Sequence, residues 1–409
     1  MSSFARSSKL SVSYKGSKLD QEISSQASSF SYTDVASGTS DTIDITIYNA
    51  NKNWMNKWLP TKGDKITPSV ILNNWTKEGV TNTIKCGSFV IDDLSFSGRP
   101  LIFSLAGVSM PANEDFKATK KTNTYEDVTI KEIASKIAKA AGIKMVYDAP
   151  TVKIAEIEQS NTPDSTFLYS LCESYGLAMK VYNEKLVIFE EAKYEAKKVV
   201  ATIDETDMIS WNYNSTIDGT YTGATVSYTI PDTEKTVTMT VGKKGRMYET
   251  SMQVSSEYDA ELKASALVNK ANKGAVSLEV KIMANPKIIA SSTVQITGLG
   301  KLSGKYYVDS VKHSLGNGYT MTLSLHLIQK RIGSLAGNSN DSNNSNGTYI
   351  VKSGDNLWNL AKQFYGKGTK YTVIYEANKE VIEKTAKEHG FASSDNGYWI
   401  FPGTKLIIP

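Results

Sequence analysis

The chain has 409 residues, a natural size for two to four domains, and its 40% hydrophobic content suffices for ordinary globular cores. Its 46 basic and 42 acidic residues leave a net charge of +4 with no basic block, which argues against sequence-specific nucleic-acid binding. Two cysteines, Cys86 and Cys172, make no disulfide framework; no stretch approaches a membrane span, and Met1–Arg6 has no apolar signal-peptide run, so a chain built in a reducing cytoplasm is expected.

Strand pattern opens the chain. Asp41–Tyr48 alternates Ile43, Ile45 and Ile47 with polar neighbours, which turns one face to a core. Trp54, Trp58 and Trp75 follow among Pro60, Gly63 and Pro68, and are expected to plug a barrel or a subunit contact rather than stack sugars. The period then changes. Ile130, Ile133, Ala134, Ile137, Ala138 and Ala141 mark a helix over 129–141, ended by Gly142 and followed by a strand from Ile143. The same unit recurs: a helix over 164–175 with Phe167, Leu168, Leu171 and Cys172 inward, Gly176, the strand from Leu177, and a turn at Asn183-Glu184 into Lys185–Phe189. Two helix–glycine–strand copies indicate a small α/β subdomain, too few for a solenoid.

Beyond Val199 the pattern is again β. Val226, Tyr228 and Ile230 face Val237, Met239 and Val241 across Pro231–Lys235, a hairpin. A helix is expected from Ser256 to Lys273, stopped by Gly274. A second hairpin turns at Gly316-Asn-Gly, with His313 and His326 assigned to its polar faces. Residues 331–348 form the expected linker. Its Gly337–Thr348 part has no apolar side chain to offset the entropy of ordering it.

No catalytic, metal or cofactor site emerges. The three histidines form no His-Glu-x-x-His pattern, Cys172 faces inward on its helix, and Gly242-Lys-Lys-Gly lacks the spacing of a phosphate loop. The acid pairs Asp92-Asp93 and Glu190-Glu191 point to opposite strand faces and do not converge.

The tail reads as strand–helix–helix–strand. The first strand is Tyr349–Val351. The first helix turns Leu357, Leu360, Ala361 and Phe364 inward, with Asp355 as its cap and Trp358 alongside, expected in the core rather than as a stacking platform. The second helix is Tyr371–Asn378, and the last strand opens at Lys405. Ser353-Gly-Asp-Asn-Leu-Trp, Ala361, Tyr375-x-x-Asn378 and Pro402-Gly-x-x-Leu406 together resemble the LysM family over residues 349–409. That resemblance implies a βααβ module binding peptidoglycan or chitin chains between two loops, here Ser353, Gly354, Asp355, Asn356 and Leu357, then Ile400, Phe401, Pro402 and Gly403. The link Glu380–Trp399 is longer than usual for the family, long enough to add a helical turn that shades the groove.

Residues 1–330 carry weaker patterns in a shared order. These are Leu19-Asp-Gln-Glu-Ile, Phe30–Gly38, Asp41–Tyr48, Cys86-Gly-Ser-Phe-Val-Ile-Asp-Asp, Gly304-x-Tyr-Tyr-Val, His313 and Gly318-Tyr. Together they resemble the phage late control D proteins, the baseplate hubs of contractile tails. The resemblance implies a β-rich α+β fold: one barrel-like domain at 1–110, an α/β subdomain at 111–195 and a second barrel-like domain at 196–330. It also implies a non-enzymatic homotrimer whose six barrels match a hexameric tail tube and whose threefold end holds a spike beside other baseplate components. No duplication is visible in the sequence itself. Such a part is assembled in the bacterial cytoplasm and ends in a virion baseplate or an extracellular tail-like particle, of a phage, a prophage or a bacteriocin. The alternatives are a tail-associated peptidoglycan hydrolase with an unrecognised active site, or a LysM that docks another tail protein.

Overall fold

The computed structural model describes residues 5–14, 18–109, 114–230, 235–316, 318–333, 348–351, 355–365 and 368–408. The chain divides into two compact units, Met1–Thr220 with Lys270–Lys330, and Tyr221–Asn269 with Arg331–Pro409.

The first unit is built on one large sheet. Its main path runs Ser7–Ser13, Lys65–Asn73, Phe89–Ser97, Ile102–Val108, Thr42–Tyr48, Ala27–Val35, Gly304–Gly316, Gly318–Leu327, Val276–Met283 and Met208–Ser215. The alternation read from the sequence does its work here: Ile43, Ile45 and Ile47 are fully buried. The join between the N-terminal and C-terminal strands is antiparallel, with Phe30 opposite Leu315 and Tyr32 opposite His313. Both strand sets therefore share one apolar core. Trp54 plugs it, stacked on Phe103 at 5.5 Å, with Trp58 edge-on at 5.4 Å. Trp75 packs on the same core and donates its indole N–H to the Ala284 carbonyl at 2.5 Å.

The α/β segment forms as the periodicity predicts. The helix Ile130–Ala140 starts from a reciprocal capping box between Thr129 and Glu132, and Gly142 follows at φ +71°. The helix Asp164–Ser174 buries Phe167, Leu168, Leu171 and Cys172. Leu177–Tyr182 pairs antiparallel with Lys185–Glu190, which pairs in parallel with Lys144–Asp148. Asn183 and Glu184 both take positive φ, 47° and 57°, as a two-residue type I′ hairpin requires. A long ribbon, Lys120–Thr129 with Lys153–Pro163, was not anticipated.

Of the two hairpin histidines, His313 is a correction, while His326 keeps the expected face of Thr320, Thr322 and Ser324 but is covered there. Both are buried, His313 at 3% exposure and His326 at 5%. A bulge between Val308 and Ser310 inserts one residue, so the side-chain alternation reverses and His313 turns to the core. There it stacks on Tyr32 at 5.2 Å and lies 2.5 Å from the Tyr319 hydroxyl. His326 is sheltered between the Asp309 and Glu195 carboxylates at 2.7 and 3.2 Å.

In the second unit, Gly223–Ile230 lies between Lys235–Gly242 and Met247–Ser251 in a three-stranded sheet. Val226, Val237 and Val268, the last from the helix Glu257–Lys273, form its core. Ser256 Oγ accepts the Asp259 amide and starts that helix as expected. The hairpin turn at 231–234 lies outside the described residues.

The terminal module is βααβ. Thr348–Ile350 pairs antiparallel with Lys405–Ile407, and the helices Leu357–Tyr365 and Tyr371–Glu388 complete it. The second helix runs well past its expected end at Asn378. Of the linker, residues 334–347 lie outside the described residues.

Candidate functional site

The strand pair of the terminal module sets Val351, which leads toward the first candidate loop, beside Gly403 and Thr404 of the second. Gly403 N donates to the Val351 carbonyl at 2.8 Å, and Val351 N donates to Thr404 at 2.9 Å. Phe401–Thr404 is a tight turn closed by Thr404 N to the Phe401 carbonyl at 3.1 Å. Pro402 sits where a fixed negative φ is needed, and Gly403, at φ +90°, where only glycine is relaxed, the pattern of a type II turn. Pro402 and Gly403 are exposed, while Ile400 and Phe401 are half-buried.

The first loop divides. Ser353 and Gly354 lie outside the described residues. Asp355 accepts the Tyr349 hydroxyl at 2.7 Å. Burial and this carboxylate raise the Tyr349 pKa. The side chain reaching the third helical amide is Asn356, at 2.8 Å from Asn359 N, one residue later than the expected cap. Leu357 is 2% exposed and belongs to the module's core, the inward place its helix spacing gives it, so its side chain offers little surface to a ligand in the loop. Gly397 explains how tightly it is covered: a Cβ there would stand 2.3 Å from Leu357 Cδ1.

Trp358 is a further correction. It is 50% exposed and outside the core. The inward face is set by Leu357, Leu360 and Ala361, and a residue one step from Leu357 is rotated about 100° from it. The indole covers Gly368, where a Cβ would meet it at 2.3 Å.

Asn378, singled out by motif, has a structural role. Its amide nitrogen donates to the Ile407 carbonyl and its oxygen accepts the Ile407 amide, so it pins the last strand to the second helix. Glu383, which the sequence reading passed over, organises the long link. It accepts the Ser394 hydroxyl, the Ser394 amide at 3.1 Å and the Tyr375 hydroxyl at 2.8 Å. These donors, the Ser394 hydroxyl first, hold its carboxyl below the usual range.

Groups capable of chemistry elsewhere serve packing. Burial pushes the Cys172 thiol up to about 12 and raises Cys86 further. Burial lowers His313 to about 4. Among the described residues no group of three or more His, Cys, Asp or Glu is placed to hold a metal ion, and no helix is long and apolar enough to cross a membrane.

The body has the fold of phage tail proteins. It superposes on a 43 kDa prophage tail protein of Shewanella oneidensis with a TM-score of 0.60 and 14% identity, covering 78% of this chain and 98% of that one. A tail protein of Neisseria meningitidis gives 0.61 and 12%, covering 78% and 96%. An Escherichia coli component of the type VI secretion system gives 0.51 and 10%, covering 78% and 77%. The YQBQ-like family model matches residues 116–326, and the chain belongs to that family. The LysM domain model matches residues 349–384. Over 62 residues the chain is 48% identical to YqbP of Bacillus subtilis, and over 61 residues 39% identical to the potassium binding protein Kbp of Escherichia coli. It spans only 27% and 33% of those two proteins' lengths.

Proposed function

We propose that this chain is a structural baseplate hub of a phage tail or a contractile tail-like particle, joining a hexameric tail tube to a trimeric spike as a homotrimer. Its LysM module engages peptidoglycan glycan chains through the loops at Ser353–Leu357 and Ile400–Gly403. The observation that carries this reading is the coexistence of a tail-protein fold over 78% of the chain with a LysM domain in the same polypeptide. In this reading the strands of 1–110 and those of 196–220 with 270–330 supply the barrel-like lobes either side of the α/β segment at 111–195, while residues 221–269 fold with the other unit. Within the loops, the exposed Pro402-Gly403 turn and the backbone around it are suited to acetamido groups, while Leu357 supports the loop from beneath. The protein acts by assembly and binding, without catalysis.

Mass measurement of the complex with tube protein tests the hub: three copies per ring are expected, and one or two refute it. Sedimentation of the full chain with insoluble peptidoglycan tests the module. Failure to sediment moves the docking of another tail protein to first place.

A further inference from the structure

The long link after the second helix carries an aromatic surface that the two loops do not explain. The link is anchored along its length. Phe391 N donates to the Ala386 carbonyl at 3.0 Å, Trp399 N to Ser394 at 2.9 Å and Tyr398 N to Asp395 at 3.1 Å. Gly397 N donates to Ser394 Oγ at 2.9 Å, and Ser394 is itself held by Glu383.

On this frame five rings form a chain. His389 stacks on Phe401 at 3.9 Å and 10°, and Phe401 meets Phe391 at 5.7 Å. Phe391 stacks on Trp399 at 4.8 Å and 30°, and Tyr398 stands upright beside Trp399, at 4.9 Å and 88°. Packed rings in a small domain ordinarily form its core. These do not: Phe391 is 36%, Trp399 41% and Tyr398 69% exposed. A contiguous apolar face held rigidly in water marks a surface that something else covers.

We infer that Phe391, Trp399 and Tyr398 form a stacking platform for a pyranose ring of a neutral N-acetylated glycan, extending the site at Ile400–Gly403. The inference rests on the glycan-binding reading of the module and adds a subsite to it. Three observations select this occupant. A flat indole with an upright phenol at its side makes a corner that takes the C–H face of a sugar and offers a hydroxyl to its polar edge. Within Phe391–Gly403 only Asp395 is charged, which suits a neutral ligand better than a polyanion or a charged peptide. Phe401 belongs both to the ring chain and to the Phe401–Thr404 turn, so a glycan lying on the loops continues onto the platform. The rings already brace one another, so little rotamer entropy is lost on binding.

The test titrates the full chain with short and long soluble N-acetylglucosamine oligomers. Trp399→Ala should weaken the long oligomer about tenfold, equivalent to one stacking contact, and leave the short one nearly unchanged. Trp399→Phe should retain most of the affinity. Tyr398→Phe, which keeps the ring and should melt like the wild type, should lose a few-fold on the long oligomer; if Trp399→Ala unfolds the module, this comparison decides. Wild-type binding with long-oligomer affinity unchanged in the variants overturns the platform and leaves the loop site standing. A wild-type chain that binds no oligomer overturns both and points to a protein partner for the aromatic face.

Discussion

Lys180 should be among the most sensitive single positions in the body. It lies on the strand Leu177–Tyr182 of the α/β segment and reaches into the large sheet. Its ammonium is 2.8 Å from Asp34 Oδ1, 2.6 Å from the Val35 carbonyl and 3.2 Å from Asp41 Oδ1. The three side chains are 12%, 10% and 0% exposed. Asp34 also accepts the Ala290 amide and Asp41 the Val35 amide, but Asp41 Oδ2 has no hydrogen-bond partner. Lys180→Met keeps the stem's volume and removes the charge. Two buried carboxylates are then left facing each other, at a cost of about 3–5 kcal/mol. For a unit of this size that lowers the melting temperature by about 6–20 °C.

The pH dependence of Lys180→Met gives the argument its sign. Burial, opposed by Lys180 and reinforced by Asp34, raises the Asp41 pKa from 3.8 to about 6. A folded pKa above the unfolded one means that Asp41 contributes stability below about 4 and loses it as pH rises through about 6, a span of about 3 kcal/mol. Without Lys180 the pKa climbs further, and protonation relieves the repulsion. The deficit of Lys180→Met should therefore be full at pH 8 and smaller at pH 5, and Lys180→Met with Asp41→Asn should recover part of it. Thermal melts of the full chain at the two pH values measure this. A variant that melts like the wild type at pH 8, or whose deficit grows on acidification, refutes the reasoning.

The two exposed-or-buried tryptophans make a paired comparison by calorimetry: Trp54→Ala should destabilise by about 3–5 kcal/mol, whereas Trp358→Ala should cost under about 1 kcal/mol. Asn378→Ala strands both backbone groups of Ile407 and should cost about 2–3 kcal/mol, seen as faster amide exchange in the last strand. Gly397→Ala forces a Cβ into Leu357 at φ +84° and should unfold the module, visible as loss of dispersed methyl signals from Leu357 and Leu360.

Local periodicity was enough to read many elements of this protein, but not strands such as Ser7–Ser13, Lys65–Asn73, Ile102–Val108 and Val276–Met283. Ile43–Ile47 alternates at the sheet period and the 129–141 face repeats at the helical one, because burial of one face is written into consecutive residues. The motif order of the tail likewise announced its βααβ form. What sequence could not supply depends on partners distant in the chain. That Ala27–Val35 pairs with Gly304–Gly316, and so joins both strand sets into one core, comes from contacts nearly three hundred residues apart. The turning of His313 inward came from a single bulge, which reverses every later side chain yet leaves no mark in composition. In the terminal module Trp358 was expected in the core, although its one-residue step from Leu357 turns it outward. The inward turn of Leu357 was legible in its spacing to Leu360 and Ala361, whereas the exposed ring surface of Phe391, Tyr398 and Trp399 depends on the link that the Glu383–Ser394 anchor holds. Sequence determines which residues seek cover; which of them find it depends on what the rest of the chain folds over them.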